Sequence, residues 1–195
     1  ALNVQWTLDG KRLLTITGDR YWLGSQDYNV LLWEADTGKL ISMVKIANQA
    51  APESGELAAS LVNYVTGAAT DLARQSGRLA TLGGDNAAII WDAAWQKPAL
   101  VLSGHTKGVN SVDWSPDESK LATASLDGTA RIWDAKTGQV LQTLQGHQGR
   151  VNLAFWSPDG KQIVTAGDDG VIRIWEPTSA KLLNSIPSNQ GAVWS

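Results

Sequence analysis

The sequence predicts an all-β protein in which one four-stranded antiparallel unit is repeated four times. Trp91, Trp133 and Trp175 lie at intervals of 42 residues, and the residues around them recur in near-identical form. A repeat period in the forties indicates a supersecondary unit that cannot bury its apolar surface alone and therefore stacks on its copies. Each copy also contains short β-branched runs separated by turn sequences, which favours strands over helices.

The last full copy, residues 151–192, shows the four strands most clearly. Val151–Trp156 ends at a Ser-Pro-Asp-Gly turn, and Gln162–Ala166 ends at an Asp-Asp-Gly hairpin signal. Val171–Trp175 and Lys181–Ile186 supply the third and fourth strands. Four short strands joined by tight turns predict an antiparallel meander. The third strand is apolar on both faces except for Arg173, as expected for a sheet covered on both sides.

The same register divides the whole chain into four repeats. We predict repeats at residues 1–66, 67–108, 109–150 and 151–192, with residues 193–195 starting a next one. The second repeat has a degraded first strand, Ala68–Ala73. The first repeat carries two insertions, near residues 18–26 and 47–66. In a meander both insertions project from the same end of the sheet, where loops are free to carry function.

Composition restricts the classes of partner and chemistry. The chain has 195 residues, of which 43% are apolar, enough for one sizeable core. A net charge of −3 gives no electrostatic case for nucleic acid or an anionic membrane, and no apolar run is long enough to span a bilayer. The lack of cysteine excludes disulfides and thiolate metal sites. We therefore expect no membrane insertion and no cofactor, and the absence of a visible leader favours the cytoplasm.

The recurring motifs resemble those of the WD-repeat β-propellers. The resemblance rests on a Gly-His pair, a Trp-Ser-Pro-Asp turn, an Asp-Gly hairpin and an Ile-Trp-Asp strand end, which in the third repeat are Gly104-His105, 114–117, Asp127-Gly128 and 132–134. It implies that each repeat forms one blade. Because rings in this family most often have seven blades, it also implies a partial ring within a longer chain. Closure by four blades, or pairing with a second copy, are the alternatives.

Residues 156–163 are similar to the corresponding sequence of bacterial members, in which such arrays often follow a signalling ATPase or kinase. The resemblance also implies a hydrogen-bonded network in each blade, made of a His, a Ser or Thr, an Asp and a Trp. The corresponding residues in the four repeats are Thr15, Asp27 and Trp33; Thr81, Asp85 and Trp91; His105, Thr123, Asp127 and Trp133; and His147, Thr165, Asp169 and Trp175.

These histidines and aspartates could instead be metal ligands or acid–base groups. Their recurrence every 42 residues favours the structural interpretation, since catalytic groups need not recur with the repeat. We therefore predict no enzyme activity and no metal site. A small-ligand or enzymatic site in the central channel, lined by first-strand residues Asn3, Asn110 and Asn152, is the weaker alternative.

The predicted function is a non-catalytic scaffold that presents one rim of the propeller to another protein, as a module of a larger signalling or assembly protein. Tyr21 and Trp22 lie in the first insertion and are aromatic residues of the kind enriched at interfaces, although they could instead pack down over the rim. A structural role in self-association is the alternative function. The other candidate contact residues on this rim are Tyr28, Thr106, Lys107, Leu126, Gln148, Arg150 and Asp168.

Overall fold

The protein is described by a computed structural model over residues 3–6, 11–18, 28–46, 70–73, 75–83, 86–92 and 98–188. Within these ranges every regular element is a β-strand, and the strands form four antiparallel four-stranded sheets. No helix long and apolar enough to cross a membrane occurs among the described residues. The predicted all-β fold built from four-stranded antiparallel blades is confirmed.

The strands follow one another in space as they do in sequence, so each sheet is a simple meander. The first sheet contains β1 (Asn3–Trp6), β2 (Arg12–Gly18), β3 (Tyr28–Glu34) and β4 (Leu40–Ile46). The second contains β5 (Thr70–Leu72), β6 (Leu79–Leu82), β7 (Ala88–Trp91) and β8 (Pro98–Leu102). The third contains β9 (Val109–Trp114), β10 (Lys120–Ser125), β11 (Thr129–Asp134) and β12 (Val140–Gln145). The fourth contains β13 (Val151–Trp156), β14 (Ile163–Gly167), β15 (Val171–Glu176) and β16 (Lys181–Pro187).

One irregularity recurs in all four sheets. The pairing of the third strand with the fourth shifts register immediately before the repeated tryptophan, at Trp33, Trp91, Trp133 and Trp175. A β-bulge of this kind bends the strand and re-aims a side chain. The repeat therefore conserves a local distortion as well as a sequence, and the distortion lies beside the indole that the network uses.

The second, third and fourth sheets pack face to face in chain order. β9 packs on β5 and β6, and β13 packs on β9, β10 and β11. The layer between sheets two and three includes Leu102, Val112 and Trp133, and the layer between sheets three and four includes Ile132 and Trp175. Burying such side chains contributes roughly 1.5–3 kcal/mol each, which a single sheet with two open faces would forgo.

Hydrogen bonds fix the distance between neighbouring first strands. The backbone N–H of Trp114 donates to Asp71 Oδ2 at 2.8 Å, and 42 residues later the N–H of Trp156 donates to Asp113 Oδ2 at 2.6 Å. The N–H of Ala154 donates to Ser111 Oγ at 3.1 Å. In each pair the later sheet supplies a backbone donor and the earlier sheet a side-chain acceptor. At the next repeat positions Leu153 and Phe155 replace these acceptors.

Sheets two and three are also joined through an arginine and a turn glutamate. Arg78 donates to the carbonyl oxygens of Ala135 at 3.0 Å and Glu118 at 2.8 Å, and its guanidinium lies 4.7 Å from the ring centroid of Trp114. The Glu118 carboxylate accepts the N–H groups of Gln75 at 2.5 Å and Ser76 at 2.9 Å. The two residues thus form a reciprocal clamp between the sheets.

Candidate functional site

A chain of polar side chains runs through the third sheet. Trp133 Nε1 donates to Thr123 Oγ1 at 2.8 Å, His105 Nε2 lies 2.8 Å from the same oxygen, and His105 Nδ1 lies 2.8 Å from Asp127 Oδ2. Thr123 is fully buried, and the side chains of His105 and Asp127 are 1% and 5% exposed. Each residue comes from a different segment, so the chain connects the strands in a single register.

The donors and acceptors of this chain assign its protons. Thr123 Oγ1 accepts from the indole and has one hydrogen of its own, which it donates to His105 Nε2. Nδ1 of His105 then carries the ring proton and donates to Asp127. Burial lowers the pKa of His105, although Asp127 opposes the shift, so the imidazole is neutral at pH 7. Burial alone would raise the pKa of Asp127, but hydrogen bonds from Thr129, His105 and Thr106 lower it to about 2.

The fourth sheet repeats this arrangement. His147 Nδ1 lies 2.9 Å from Asp169 Oδ1, His147 Nε2 lies 2.8 Å from Thr165 Oγ1, and Trp175 Nε1 donates to that oxygen at 2.8 Å. Burial lowers the pKa of His147, and hydrogen bonds from Gln148, His147 and Arg173 outweigh burial to hold the pKa of Asp169 well below its usual range.

An arginine two residues before the tryptophan takes part, and the sequence analysis missed it. Arg173 Nη1 donates to Asp169 Oδ2 at 2.7 Å and lies 2.7 Å from His147 Nδ1. Its counterpart Arg131 instead lies 6.0 Å from the ring centroid of Trp133, with a buried Nε that has no hydrogen-bond partner. The signal was present, because both arginines occupy the same repeat position.

The first two sheets contain shorter versions of the chain. Trp33 Nε1 donates to Thr15 Oγ1 at 2.8 Å, and Trp91 Nε1 donates to Thr81 Oγ1 at 2.9 Å. The second repeat has no histidine at the corresponding position. Asp27 and Asp85 lie outside the described residues.

The Asp–His–Thr order has the geometry of a charge-assisted nucleophile, but its surroundings do not suit that role. Thr123 and Thr165 are fully buried, and each hydroxyl oxygen already accepts an indole N–H. A nucleophile must reach a substrate atom, which a buried and hydrogen-bonded hydroxyl does not do. Within the described part of the chain, no group of three or more His, Cys, Asp or Glu residues is arranged to hold a metal ion.

The network also shapes the protein surface. We call the inter-sheet loops at 103–108 and 146–150, with the hairpin turns at 126–128 and 168–170, the rim. The Asp127 carboxylate accepts the N–H of Thr106 at 3.0 Å, and the Asp169 carboxylate accepts that of Gln148 at 3.0 Å. Each network aspartate thereby ties an inter-sheet loop to the hairpin turn of the sheet that follows the loop. The rim is therefore held by the core beneath it.

The candidate contact residues of the rim are distributed over this surface. Thr106, Lys107, Gln148 and Arg150 are exposed, whereas Leu126 and Asp168 are half-buried. The N–H of Leu126 donates to Gly108 O at 2.9 Å, and the N–H of Asp168 donates to Arg150 O at 3.0 Å. Tyr28 is the first residue of β3. Tyr21, Trp22 and both insertions lie outside the described residues.

Two of the three asparagines considered for a channel site, Asn110 and Asn152, use their amides internally. Asn110 is buried and donates to Val151 O at 3.1 Å, which joins sheets three and four. Asn152 is fully buried and donates to Asp168 Oδ1 at 3.0 Å. Asn3 is the first residue of β1. The two described amides are therefore committed to holding the sheets and the rim.

Comparison with known proteins agrees with this architecture. Residues 96–134 and 138–176 match the family model described as WD domain, G-beta repeat. Each match contains the fourth strand of one sheet and the first three strands of the next, so its phase differs from that of the predicted repeats 109–150 and 151–192.

Two curated relatives, both named Ribosome assembly protein 4, come from the fungi Chaetomium thermophilum and Saccharomyces cerevisiae, and they are 55% and 50% identical over 42 residues. The matched segment is 22% of this chain and only 8% of each relative's length. These relatives are eukaryotic, so the predicted similarity to bacterial members gains no support from them. The chain contains two WD40 repeats within a fold of four-stranded β-propeller blades.

Proposed function

We propose that the chain is a non-catalytic scaffold whose rim docks another protein. The observation that supports this most directly is the way the network is used. Its buried threonines, histidines and aspartates bond one another and the rim backbone, leaving exposed side chains on a surface that is held in place. A preorganised surface loses little conformational entropy on binding, which is what a docking site requires.

We further propose that the partner interaction serves the assembly of a larger complex. The relatives named Ribosome assembly protein 4 share the repeat over a short segment, and their name refers to assembly. A signalling role for a longer parent chain is the other form of this proposal. In both cases the rim of sheets three and four is the proposed contact surface.

Replacing Leu126 with Arg in the longest natural chain that contains these residues tests the proposal. Leu126 lies on the rim, so a bulky charge there should weaken partner capture while leaving the unfolding midpoint nearly unchanged. The matched control is Leu141→Arg, because Leu141 is 42% exposed on the outer strand β12. Equal capture by the Leu126 variant and the unchanged chain would count against this surface.

The insertion residues allow a second test of the same surface. Tyr21→Ala combined with Trp22→Ala should lower capture further if the predicted insertion belongs to the docking surface. Loss of stability without loss of capture would instead support the interpretation that these aromatic residues pack over the rim.

A further inference from the structure

The rim places two cationic side chains on either side of one hairpin turn. Leu126 lies over Gly108, since a Cβ on that glycine would be 3.2 Å from Leu126 Cδ1. At the other end of the turn, a Cβ on Gly128 would be 2.9 Å from the carbonyl oxygen of Gly149. The turn 126–128 therefore spans the two inter-sheet loops. Lys107 precedes Gly108 on one side, and Arg150 follows Gly149 on the other.

Two carboxylates near this surface, those of Asp127 and Asp169, are already occupied by donors. Both oxygens of Asp127 accept hydrogen bonds, Oδ1 from the N–H and hydroxyl of Thr129 and Oδ2 from His105 and the N–H of Thr106. Both oxygens of Asp169 do the same, with Arg173 among the donors. A carboxylate whose lone pairs are filled has little capacity left for a cationic partner.

The two cations, by contrast, have donors to spare. Within the described residues, Lys107 Nζ makes no hydrogen bond or ion pair, and the side chain is exposed. Arg150 has a side chain that is 54% exposed, and its Nε lies 3.7 Å from Asp168 Oδ2, a long and solvent-screened pair. Asp168 Oδ1 is used by Asn152. The open charged groups of this part of the rim are therefore two cations and one half-buried carboxylate oxygen, Asp168 Oδ2, which leaves the local charge positive.

We propose that the rim between Lys107 and Arg150 binds an acidic peptide segment of a partner protein, with an apolar side chain of that segment against Leu126. This inference rests on the proposed docking function and adds the chemistry of the partner. It also runs against the net charge of the whole chain, which is −3. A local cationic surface on an acidic protein directs an acidic segment to this place and away from the rest of the surface.

The test selects short random peptides displayed on phage against the full chain, and then measures the selected peptides by fluorescence anisotropy. We expect enrichment of sequences with Asp or Glu on both sides of an apolar residue. Lys107→Glu combined with Arg150→Glu should weaken their binding by roughly tenfold or more at about 50 mM salt, with a smaller difference at about 0.5 M. The control is Lys136→Glu with Lys161→Glu, the same change of charge on exposed turns between β11 and β12 and between β13 and β14.

The outcomes separate the two proposals. Acidic peptides that lose binding in the rim variant and not in the control support the acidic partner. Selected peptides of other composition whose binding is lost in the Leu126→Arg variant overturn the acidic partner and leave the docking function standing. Peptides that bind the rim variants and the unchanged chain equally overturn both.

Discussion

At the scale of single residues, one threonine hydroxyl organises each blade network. Thr123 and Thr165 each accept an indole N–H and donate to an imidazole, whereas Thr81 contacts only the indole of Trp91 among the described residues. Removing such a hydroxyl leaves buried partners unsatisfied, and an unsatisfied buried group costs about 1–3 kcal/mol. The number of partners should therefore set the cost of the substitution.

Thr123→Val and Thr165→Val should each destabilise the chain by about 2–4 kcal/mol, since each leaves two buried groups without a hydrogen-bond partner. Thr81→Val should cost about half as much, because it leaves one buried group without a partner. Urea unfolding of the three variants checks the order. Thr143→Val is the control, because its hydroxyl makes no hydrogen bond to the described residues. Equal losses at Thr81 and Thr165 would show that the histidine contact contributes nothing.

Stability should depend on pH through the buried histidines. The folded-state pKa values of His105 and His147 are lowered from 6.5, so the unfolded chain binds more protons as pH falls. Their contribution is complete above about pH 6.5 and is lost as pH falls below it. Because the chain has only two histidines, His105→Asn with His147→Asn should flatten the stability curve between about pH 7 and 5. An unchanged slope in that variant would contradict the neutral assignment.

Protonation of the network aspartates should cause a second loss of stability, at lower pH. The folded-state pKa of Asp127 is lowered from 3.8 to about 2, so its contribution is present above 3.8 and is lost as pH falls toward 2. Asp127→Asn should remove this part of the acid transition and leave the histidine part in place. Equilibrium unfolding at a series of pH values separates the two.

At the scale of elements, the first strands β5 and β9 bond both within their own sheets and to the next sheet. Asp71 and Asp113 occupy the same position in β5 and β9, and each accepts the N–H of a residue in the following first strand. An edge strand leaves part of its backbone unpaired, and here the neighbouring blade supplies the missing acceptor. The interface between blades is therefore hydrogen-bonded as well as apolar.

Asp113→Ala should destabilise the chain by about 1–3 kcal/mol, because the N–H of Trp156 loses its acceptor. Asp113→Asn keeps a side-chain oxygen at the same place and should recover more than half of the loss. Chemical denaturation of both variants provides the measurement. Similar losses for Ala and Asn would mean that charge, and not the hydrogen bond, stabilises this contact.

The strands of the last two repeats could be predicted from sequence because turn residues bound each run. The predicted Gln162–Ala166 and Val171–Trp175 correspond to β14 (Ile163–Gly167) and β15 (Val171–Glu176). The contacts between blades could not be predicted in the same way. A repeat pattern reports what each unit has in common, whereas the role of Asp113 or Arg78 depends on which surface of the next unit it meets.

Backbone strain gives another example at this scale. Glu118 has a φ of 56°, and its repeat counterpart Gly160 has a φ of 70°. A non-glycine residue with a positive φ is strained, so the sequence alone indicates that Glu118 is an unfavourable residue for this turn. The clamp explains the choice, since the Glu118 side chain reaches Gln75 and Ser76 of the preceding sheet.

At the scale of the whole molecule, the free energy of unfolding of a repeat protein is approximately the sum of the stabilities of the single repeats and of the interfaces between neighbouring repeats. The interface between sheets two and three has the clamp of Arg78 and Glu118 in addition to its apolar layer. Lys120 occupies the repeat position of Arg78 and makes no comparable contact with a neighbouring sheet among the described residues. The interfaces along the stack therefore differ in strength although the repeats look alike.

Arg78→Ala should cost about 1.5–3 kcal/mol, because it removes two hydrogen bonds from a charged group and a cation–π contact. Arg78→Lys should recover little, since an ammonium cannot reproduce the guanidinium geometry. Lys120→Ala is the control and should stay within about 0.5 kcal/mol. Hydrogen exchange should also show earlier opening of sheet two in the Arg78→Ala variant, and equal protection in all three variants would contradict the clamp.

Four of the bonds between first strands join a side chain of the earlier sheet to a backbone group of the later one, three with the backbone N–H as donor and one, from the Asn110 amide, with Val151 O as acceptor. Synthesis on the ribosome follows the same direction, so the side chains that a later blade bonds are already present in the chain when that blade is made. At Leu153 and Phe155 apolar side chains replace these polar ones. A surface that packs on sheet four at these positions needs backbone groups that are already hydrogen-bonded.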